Sequence, residues 1–469
     1  MAWVLLLAAS CRPAAPALGP TLRERFGEHD FLTPRDAPPT VAVVAGGTID
    51  TRAATCGACH ADHQHEWGAT THAAAMRDLQ FFGELAKPDQ PVWLCLNCHA
   101  PTAPQRAETV TLDTHLAAVD SIASVIASPN PDYDPARVAE GVTCATCHVR
   151  RDGDGQGVVI GPRGSGRAPH RVRVDPDALR GICVSCHSPG DVVLTPTFPC
   201  WFKTAEELAS GPDTARSCVE CHMPEATRPA AAGGPDLTLR RHVWVGGGIP
   251  KTVEGYGLLM ERGWSSGLTV AVRAGEGGDR GTVSVALTNT AGHSLPTGDP
   301  ERFLRVEARF ERAGATVSRD VLRVGQTWDW GDSATGRPAR RTEDARIGPG
   351  ATLTWPANAD PSGADTLVVE VLSVRLTVEN ARALAATKLP PSLLTLWPEA
   401  EAELPELATR YPMATWVYRG TYPLPGGALP PAGGGELALE AESQAALIAR
   451  SVTFAALPLE LKAPALSTP

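Results

Sequence analysis

The 469-residue chain has few lysines, few methionines and few aromatic residues, and it contains no long hydrophobic run. Only five of its 42 basic residues are lysines. Aromatic residues make up 5% of the chain, so large rings are a limited source of core volume. No stretch approaches the roughly 18 consecutive apolar residues that a membrane-spanning helix requires. The formal net charge of −10 argues against nucleic acid and anionic membrane surfaces as partners.

Glycine and proline, in contrast, are abundant, with 45 and 42 residues, and they indicate a chain with many loops. Hydrophobic residues make up 43%, which is enough for a packed core, and the length favours two or three domains. Many loops and few aromatic rings together suit a domain whose core is partly supplied by something other than side chains.

The N-terminus begins with a short apolar run at residues 2–8, followed by small residues and Cys11. This order resembles a bacterial lipoprotein signal, in which the cysteine becomes the lipidated first residue of the mature protein. We therefore expect residues 1–20 to be a signal-type segment and the protein to be exported. Cys11 is the candidate lipid anchor, and export without lipidation is the alternative.

Ten of the twelve cysteines form five Cys-x-x-Cys-His segments, where chance would give on the order of 0.01 in a chain of this length. Structural zinc combines CxxC pairs two at a time and needs no histidine after each pair. Disulfides within the pairs would leave five adjacent histidines unexplained. We interpret the segments as sites of covalent haem attachment. They are CGACH at 56–60, CLNCH at 95–99, CATCH at 144–148, CVSCH at 183–187 and CVECH at 218–222.

Each segment predicts the same roles for its three reactive residues. The two thiols reach the vinyl groups of one haem, and the histidine that follows binds the iron as the proximal ligand. The predicted thioether residues are Cys56, Cys59, Cys95, Cys98, Cys144, Cys147, Cys183, Cys186, Cys218 and Cys221. The predicted proximal ligands are His60, His99, His148, His187 and His222. Because haem attachment to CxxCH is extracytoplasmic, the segments support export independently.

Eight histidines remain as candidate second axial ligands: His29, His63, His65, His72, His115, His170, His242 and His293. Only five methionines are present, so we predict mostly bis-histidine coordination and low redox potentials. Any single spare histidine is more often an ordinary surface or core residue than a ligand. His115 is kept as a candidate ligand, although residues 114–119 fit an ordinary helix equally well. The roles of His63 and His65 stay open.

The sequence CGACHADHQHEWGATTHAAAM, with Trp67, His72 and Ala73, resembles the multihaem cytochrome c family. That family includes the tetrahaem cytochrome c that accepts electrons from hydroxylamine oxidoreductase. EGVTCATCH, which contains the third segment, is also similar to family sequence. The resemblance covers roughly residues 50–250 and implies that His72 is a second axial ligand.

Further ligands are implied by the same resemblance. His170, thirteen residues ahead of Cys183, looks like the ligand that precedes a later CxxCH in relatives. His242, shortly before a glycine pair, is similar to the ligand that ends the haem region. The segment NTAGHSLPTG resembles one found in the β-domains of multihaem cytochromes, which implies that His293 binds a haem from outside. The alternative for His293 is an incidental place on a well-capped hairpin turn.

After about residue 265 the hydrophobic pattern changes to a period of two. Val283, Val285 and Leu287 alternate with small or polar residues, and residues 304–310 alternate in the same way. Residues 367–378 continue with many β-branched residues. We expect an antiparallel β-sandwich at 265–469, with a helix near 436–450 and a last strand close to the terminus. The expected fold class is α+β: a haem-cored, loop-rich, helical pentahaem domain at 21–260 precedes the sandwich.

Two functions are compatible with these features. The first is an exported pentahaem c-type cytochrome that carries electrons between other redox proteins through closely packed haems. The second is a multihaem oxidoreductase in which one open haem acts on a small nitrogen or sulfur oxyanion, with His63, His65 or arginines as acid–base groups. All five segments are plain CxxCH, and we favour electron transfer. A weaker third interpretation makes the sandwich an anchor to a partner.

Overall fold

The computed structural model describes residues 35–87, 90–112, 125–164, 166–195, 198–274, 282–332, 334–431 and 435–466. The predicted signal segment 1–20 with Cys11, and also His29 and His115, lie outside these ranges. The described part contains both helices and strands, as expected, and the strands are longest after residue 265.

Helices in the first half are short, and each CxxCH segment begins on one of them or directly before it. Four of these five helices end on the proximal histidine, so the histidine follows its two cysteines on one turn. Among the described residues these helices are α1 (Ala53–Gly57), α2 (Ala61–Gly68), α3 (Leu79–Leu85), α4 (Val92–His99), α5 (Pro135–Val138), α6 (Cys144–His148), α7 (Pro176–Gly181), α8 (Val184–His187), α9 (Thr204–Ser210), α10 (Cys218–His222) and α11 (Tyr256–Arg262).

Short β-pairs connect these helices. They are β1 (Thr40–Ala42) with β2 (Thr48–Asp50), β3 (Glu108–Leu112) with β4 (Val125–Pro129), β5 (Val149–Arg151) with β6 (Gly157–Gly161) and β7 (Val172–Val174), β8 (Gly190–Thr195) with β9 (Phe198–Phe202), and β10 (Glu225–Pro229) with β11 (Asp236–Arg240). Only β6 and β7 run parallel among these pairs.

Two larger antiparallel sheets form the second half. The three-stranded sheet has the order β12-β13-β17, and the six-stranded sheet has the order β16-β15-β14-β18-β19-β20. Their strands are β12 (Leu268–Ala274), β13 (Thr282–Asn289), β14 (Phe303–Arg312), β15 (Ala315–Asp329), β16 (Arg340–Asp344), β17 (Thr352–Asn358), β18 (Thr366–Val374), β19 (Ala414–Pro423) and β20 (Glu440–Ala441). The helices are α12 (Val378–Ala385), α13 (Pro391–Leu394), α14 (Ala400–Glu403), α15 (Gln444–Ala455) and α16 (Leu459–Leu466).

One hydrophobic core takes side chains from both sheets. Val283 and Val285 of β13 meet Val306 and Phe310 of β14, and all four are fully buried. These are the residues that the alternating pattern predicted to share one face. The period-two pattern therefore predicted β13 and β14 and their inward faces correctly, whereas the strand expected at 367–378 ends at Val374 and a helix begins at Val378.

A second core joins the two halves of the chain. Phe82 of α3 contacts Trp397 at 5.1 Å between ring centres, and Leu384 of α12 lies against Gly83. Leu372 and Trp416 of the six-stranded sheet belong to the same cluster. The haem-region helices α3 and α4 are therefore held by apolar contacts to residues after 370.

Residues 161–242 differ from both cores. Among the side chains described there, no Ala, Val, Ile, Leu, Met, Phe, Tyr or Trp is buried, although the region carries the fourth and fifth CxxCH segments. A folded segment of this length ordinarily buries apolar side chains. This region therefore relies less on buried apolar side chains than the two cores do.

Two details near the C-terminus differ from the sequence-based expectation. The helix expected at 436–450 begins only at Gln444, because Ser443 caps it by accepting a hydrogen bond from the Ala446 amide. The last strand expected close to the terminus is wrong, since Leu459–Leu466 is helical. A short apolar run of this length suits a strand and a buried helix equally, and periodicity cannot decide between them.

Candidate functional site

The five CxxCH segments lie close together. The thiols of Cys56 and Cys144, of Cys183 and Cys218, and of Cys98 and Cys186 are near enough to influence each other's pKa, and Cys186 also influences the pKa of Cys147. None of the ten CxxCH cysteines forms a disulfide. The thiols are therefore available for thioether bonds, and the segments form one contiguous cluster.

Four proximal histidines each face a second imidazole ring. Two imidazoles that bind one metal from opposite sides, each at about 2.0 Å, have ring centres about 6 Å apart. The observed ring-centre distances are 6.4 Å for His60–His170, 6.2 Å for His72–His187, 6.1 Å for His148–His242 and 6.2 Å for His222–His293. All four second rings belong to histidines that the sequence suggested, and the four distances fit an iron between the rings.

Hydrogen bonds to the backbone fix the orientation of five of these eight rings and of the remaining proximal histidine, His99. A carbonyl oxygen accepts a hydrogen bond from Nδ1 of each ring, which leaves Nε2 without a proton and able to bind a metal. The pairs are His60 with Ala230 at 2.7 Å, His148 with Ile160, His242 with Arg240 and His293 with Ser294 at 3.0 Å, and His99 with Ala75 and His170 with Arg171 at 3.4 Å.

Burial keeps several of the rings neutral. It lowers the pKa of His72 and of His242 to about 3, and that of His99 and of His222 to about 4, with nearby imidazoles acting in the same direction for His72, His242 and His222. A metal binds the neutral form of imidazole. The environment of these rings therefore favours the protonation state that ligation needs.

His99 is different from the other four proximal histidines. Phe81 stacks on its ring at 3.6 Å, and among the described residues no histidine ring lies against it. The suggested partner, His115, is outside the described ranges. His65 is exposed on α2.

A buried carboxylate that the sequence analysis did not single out positions His242. Glu66 accepts two hydrogen bonds of 2.7 Å from Arg228, one of 2.8 Å from Nε of Arg241 and one of 2.8 Å from the His242 amide. Burial alone would raise the pKa of Glu66, but these hydrogen bonds lower it to about 2. Only the fold reveals this site, because its partners are more than 160 residues away.

The first and third segments are held together by the residues that carried the resemblance. The indole of Trp67 donates a hydrogen bond of 2.8 Å to the Val142 carbonyl, and the Val142 amide donates one of 3.0 Å to the His72 carbonyl. Gly141 has a φ of +58°, and a Cβ there would lie 2.6 Å from the His72 carbonyl oxygen. Glycine is needed at this position for both reasons.

The loop that carries His293 is fastened to α9. Glu207 accepts hydrogen bonds of 3.2 Å from the Ser294 amide, 2.7 Å from the Thr297 hydroxyl and 2.6 Å from Arg346. These contacts place the imidazole of His293 beside His222. The sheet region is thereby docked onto the fifth CxxCH segment.

The cluster also suits the carboxylates of haem. Nε of Arg302 is buried and has no hydrogen-bond acceptor among the described residues. Burial, and next the charge of Arg302, lower the pKa of His187, so this cation is near the His72–His187 pair. A haem propionate is the type of anion that an arginine binds through two hydrogen bonds.

Clustered CxxCH thiols, neutral imidazoles and paired histidine rings form the kind of site that holds c-type haems. The family model described as "Cytochrome c554 and c-prime" matches residues 55–149, which contain the first three segments and His72. The fold is similar to that of a penta-haem cytochrome c552 from Thermochromatium tepidum, with a TM-score of 0.50 and 19% identity over 80% of this chain and 98% of that chain. No curated protein matches the sequence.

The match of residues 55–149 supports a relationship of this part of the chain to multihaem c-type cytochromes, and the structural likeness shows a similar fold. A specific kinship with the electron acceptor of hydroxylamine oxidoreductase stays a prediction. Such cytochromes are generally extracytoplasmic. Among the described residues no helix is long and apolar enough to cross a membrane.

Proposed function

We propose that the chain is an exported pentahaem c-type cytochrome that passes electrons between other redox proteins. Each CxxCH segment would hold one haem, with His170, His72, His242 and His293 as second ligands to the irons bound by His60, His187, His148 and His222. The observation that carries the proposal is the set of four imidazole pairs at 6.1–6.4 Å. Haem supplies a one-electron couple at each site, and bis-imidazole ligation favours low potentials.

The chain's own residues would do the remaining work. The carbonyls at Nδ1 orient the rings, burial excludes water from the irons, and Arg302 offers a positive charge to a carboxylate. We further propose that the two-sheet region is a β-sandwich, that residues 21–260 and 265–469 are the two domains, and that the second domain supplies His293 to the first.

Haem counting and spin state test this function together. The purified, matured protein should contain five haems per chain by the pyridine haemochrome assay, and its ferric form should be mostly low-spin by electron paramagnetic resonance. A content near three haems would show that not every segment is used. A mostly high-spin spectrum would contradict bis-histidine coordination.

A second function remains a candidate at one site, because His99 has no facing imidazole among the described residues. An oxidoreductase would have an open iron there, acting on nitrite, sulfite or hydroxylamine. If His115 is the second ligand to the iron bound by His99, wild type should show no high-spin signal and His115→Ala should create one. A wild-type high-spin signal that changes on adding one of these substrates, and that His115→Ala leaves unaltered, would favour the enzyme.

Export and the lipid anchor need a separate experiment. We propose that Cys11 is acylated and that the haem cluster lies outside the cytoplasm. Labelling cells with a radioactive fatty acid should mark the wild-type protein and not Cys11→Ser, while both stay haem-loaded. If wild type were haem-loaded but unlabelled, the proposal of export would stand and the proposal of a lipid anchor at Cys11 would be contradicted.

A further inference from the structure

The segment at residues 241–245, directly after β11, has two faces with different surroundings. Val243 and Val245 are buried in a cluster with Tyr256, Leu259 and Ile448. Successive side chains of an extended chain point in opposite directions, so His242 and Trp244 lie on the other face. The apolar cluster thus fixes the position of a tryptophan among the histidine pairs.

Trp244 contacts one ring from each of two pairs. Its ring centre is 5.1 Å from that of His242, which faces His148, and 5.0 Å from that of His72, which faces His187. These distances lie in the range of direct aromatic contact. Together they limit the separation of the His242 and His72 rings to about 10 Å.

A backbone contact holds this arrangement in place. The Thr71 amide donates a hydrogen bond of 3.1 Å to the Trp244 carbonyl, directly beside His72. On the other side, the Glu66 carboxylate holds the His242 amide. Both neighbours of the indole are therefore fixed relative to it.

His63 continues the contacts on the far side of His242. Its ring centre is 4.9 Å from His242 and 6.2 Å from His60. His63 follows His60 by three residues on α2, so their Cα atoms are roughly 5 Å apart and the two rings cannot bind opposite sides of one iron. His63 is a neighbour of two pairs and not a ligand opposite His60.

We propose that Trp244 couples the His148–His242 pair electronically to the His72–His187 pair. The proposal rests on the proposed function and adds the route between two of its haems. One electron moves: the iron at one pair is oxidised from ferrous to ferric while the iron at the other is reduced from ferric to ferrous. No bond forms or breaks and no proton moves. The electron enters from and leaves to redox proteins of the same class as those proposed above.

An indole suits this place because it fills the gap between the two imidazoles with polarisable ring atoms and excludes water. An aliphatic side chain fills similar space without ring contact to either imidazole. If Trp244 had a purely structural role, an aliphatic side chain would serve as well as the indole. The two roles are therefore separable by substitution.

The test compares Trp244→Leu and Trp244→Phe with wild type in the fully matured protein. One electron is injected photochemically, and its redistribution among the haems is followed by the Soret and α bands. Trp244→Leu should slow the redistribution phase about tenfold, equivalent to about 1.4 kcal/mol of barrier, and Trp244→Phe should give an intermediate rate. Trp330→Leu, a substitution of an exposed tryptophan in the sheet region, should leave the rate unchanged.

Haem content and the low-spin spectrum are measured on every variant. A wild-type rate in Trp244→Leu with five low-spin haems overturns the coupling role while the proposed function stands. If Trp244→Leu does not retain all five haems, Trp244→Phe decides, and a wild-type rate in that variant overturns the role. Wild type without five haems or without a low-spin spectrum would instead contradict the proposed function itself.

Discussion

At the scale of single residues, the proposed function predicts that the second imidazoles decide whether each iron has two protein ligands. His293 can be removed without touching a CxxCH segment, since it is on a separate loop held by Glu207. His293→Ala should convert one of the five haems to the high-spin ferric form, because His222 would be left as the sole protein ligand. Electron paramagnetic resonance measures this change.

The matched control is His65→Ala, since His65 is exposed. It should leave the low-spin spectrum unchanged. Equal spectra for the two variants would show that His293 is not a ligand.

Glu66 offers a second prediction for a single side chain. Glu66→Gln removes the negative charge that pairs with both Arg228 and Arg241. These two cations have only 13% and 22% of their side chains exposed. Breaking a buried ion pair by removing one partner costs about 3–5 kcal/mol, so the thermal midpoint should fall clearly. Circular dichroism during heating measures it, and Glu254→Gln at an exposed position should have no effect. Equal midpoints for all three proteins would contradict this role.

Several residues of the site could be predicted from sequence and others could not. The CxxCH segments are local patterns, and His72, His170, His242 and His293 were suggested by resemblance before the structure placed each of them opposite a proximal histidine. Their role as ligands stays a prediction. Trp244 and Glu66 gave no signal, and His63 was a candidate whose role stayed open, because the importance of all three arises from neighbours that are distant in the chain.

At the scale of elements, β18 carries a charged side chain that stabilises the outer face of the six-stranded sheet. Glu370 accepts hydrogen bonds of 3.1 Å from Arg309 on β14 and 2.8 Å from Arg419 on β19. Burial alone would raise the pKa of Glu370, but these two arginines hold it below its usual 4.5. The ion pairs thus join three adjacent strands.

The lowered pKa of Glu370 determines the direction in which stability changes with pH. The stabilisation by Glu370 is complete above about pH 4.5 and is lost as the pH falls below that value, because the folded state binds the proton less readily than the unfolded one. Glu370→Gln should therefore lower the thermal midpoint at pH 7, and the difference from wild type should shrink below pH 4. Glu440→Gln on the exposed edge strand β20 should show no such difference. A difference that does not vary with pH would contradict this explanation.

Elements were predictable where the pattern was local and repeated. The alternation in β13 and β14 extends over seven residues in each strand, whereas Leu437 and Leu439 suggested a helix that the chain does not form there. The Leu437 amide instead donates to the Val272 carbonyl of β12. A contact across 165 residues outweighed the local preference, and no local pattern contains that information.

At the scale of the whole molecule, the boundary near residue 265 is crossed by apolar packing, by hydrogen bonds and by an imidazole pair. The main apolar cluster is the one around Phe82 and Trp397, Glu207 accepts a hydrogen bond from Arg346, and His222 faces His293. A protease site inserted at Ser265 cuts between the two proposed domains. The nicked halves should stay together in native size-exclusion chromatography and should separate at a lower urea concentration in His293→Ala than in wild type. Identical urea profiles would show that the imidazole pair adds nothing to the association.

The four imidazole pairs also overlap along the sequence. The spans from His60 to His170, from His148 to His242 and from His222 to His293 together enclose every peptide bond from residue 60 to residue 293. If each pair shares an iron, these spans are overlapping cross-linked loops of the polypeptide, and opening one loop leaves its neighbours closed. Breakage of the backbone anywhere in this stretch would then release no fragment until a metal–nitrogen bond dissociates. The lifetime of a damaged molecule would be governed by ligand exchange at iron and not by loss of packing.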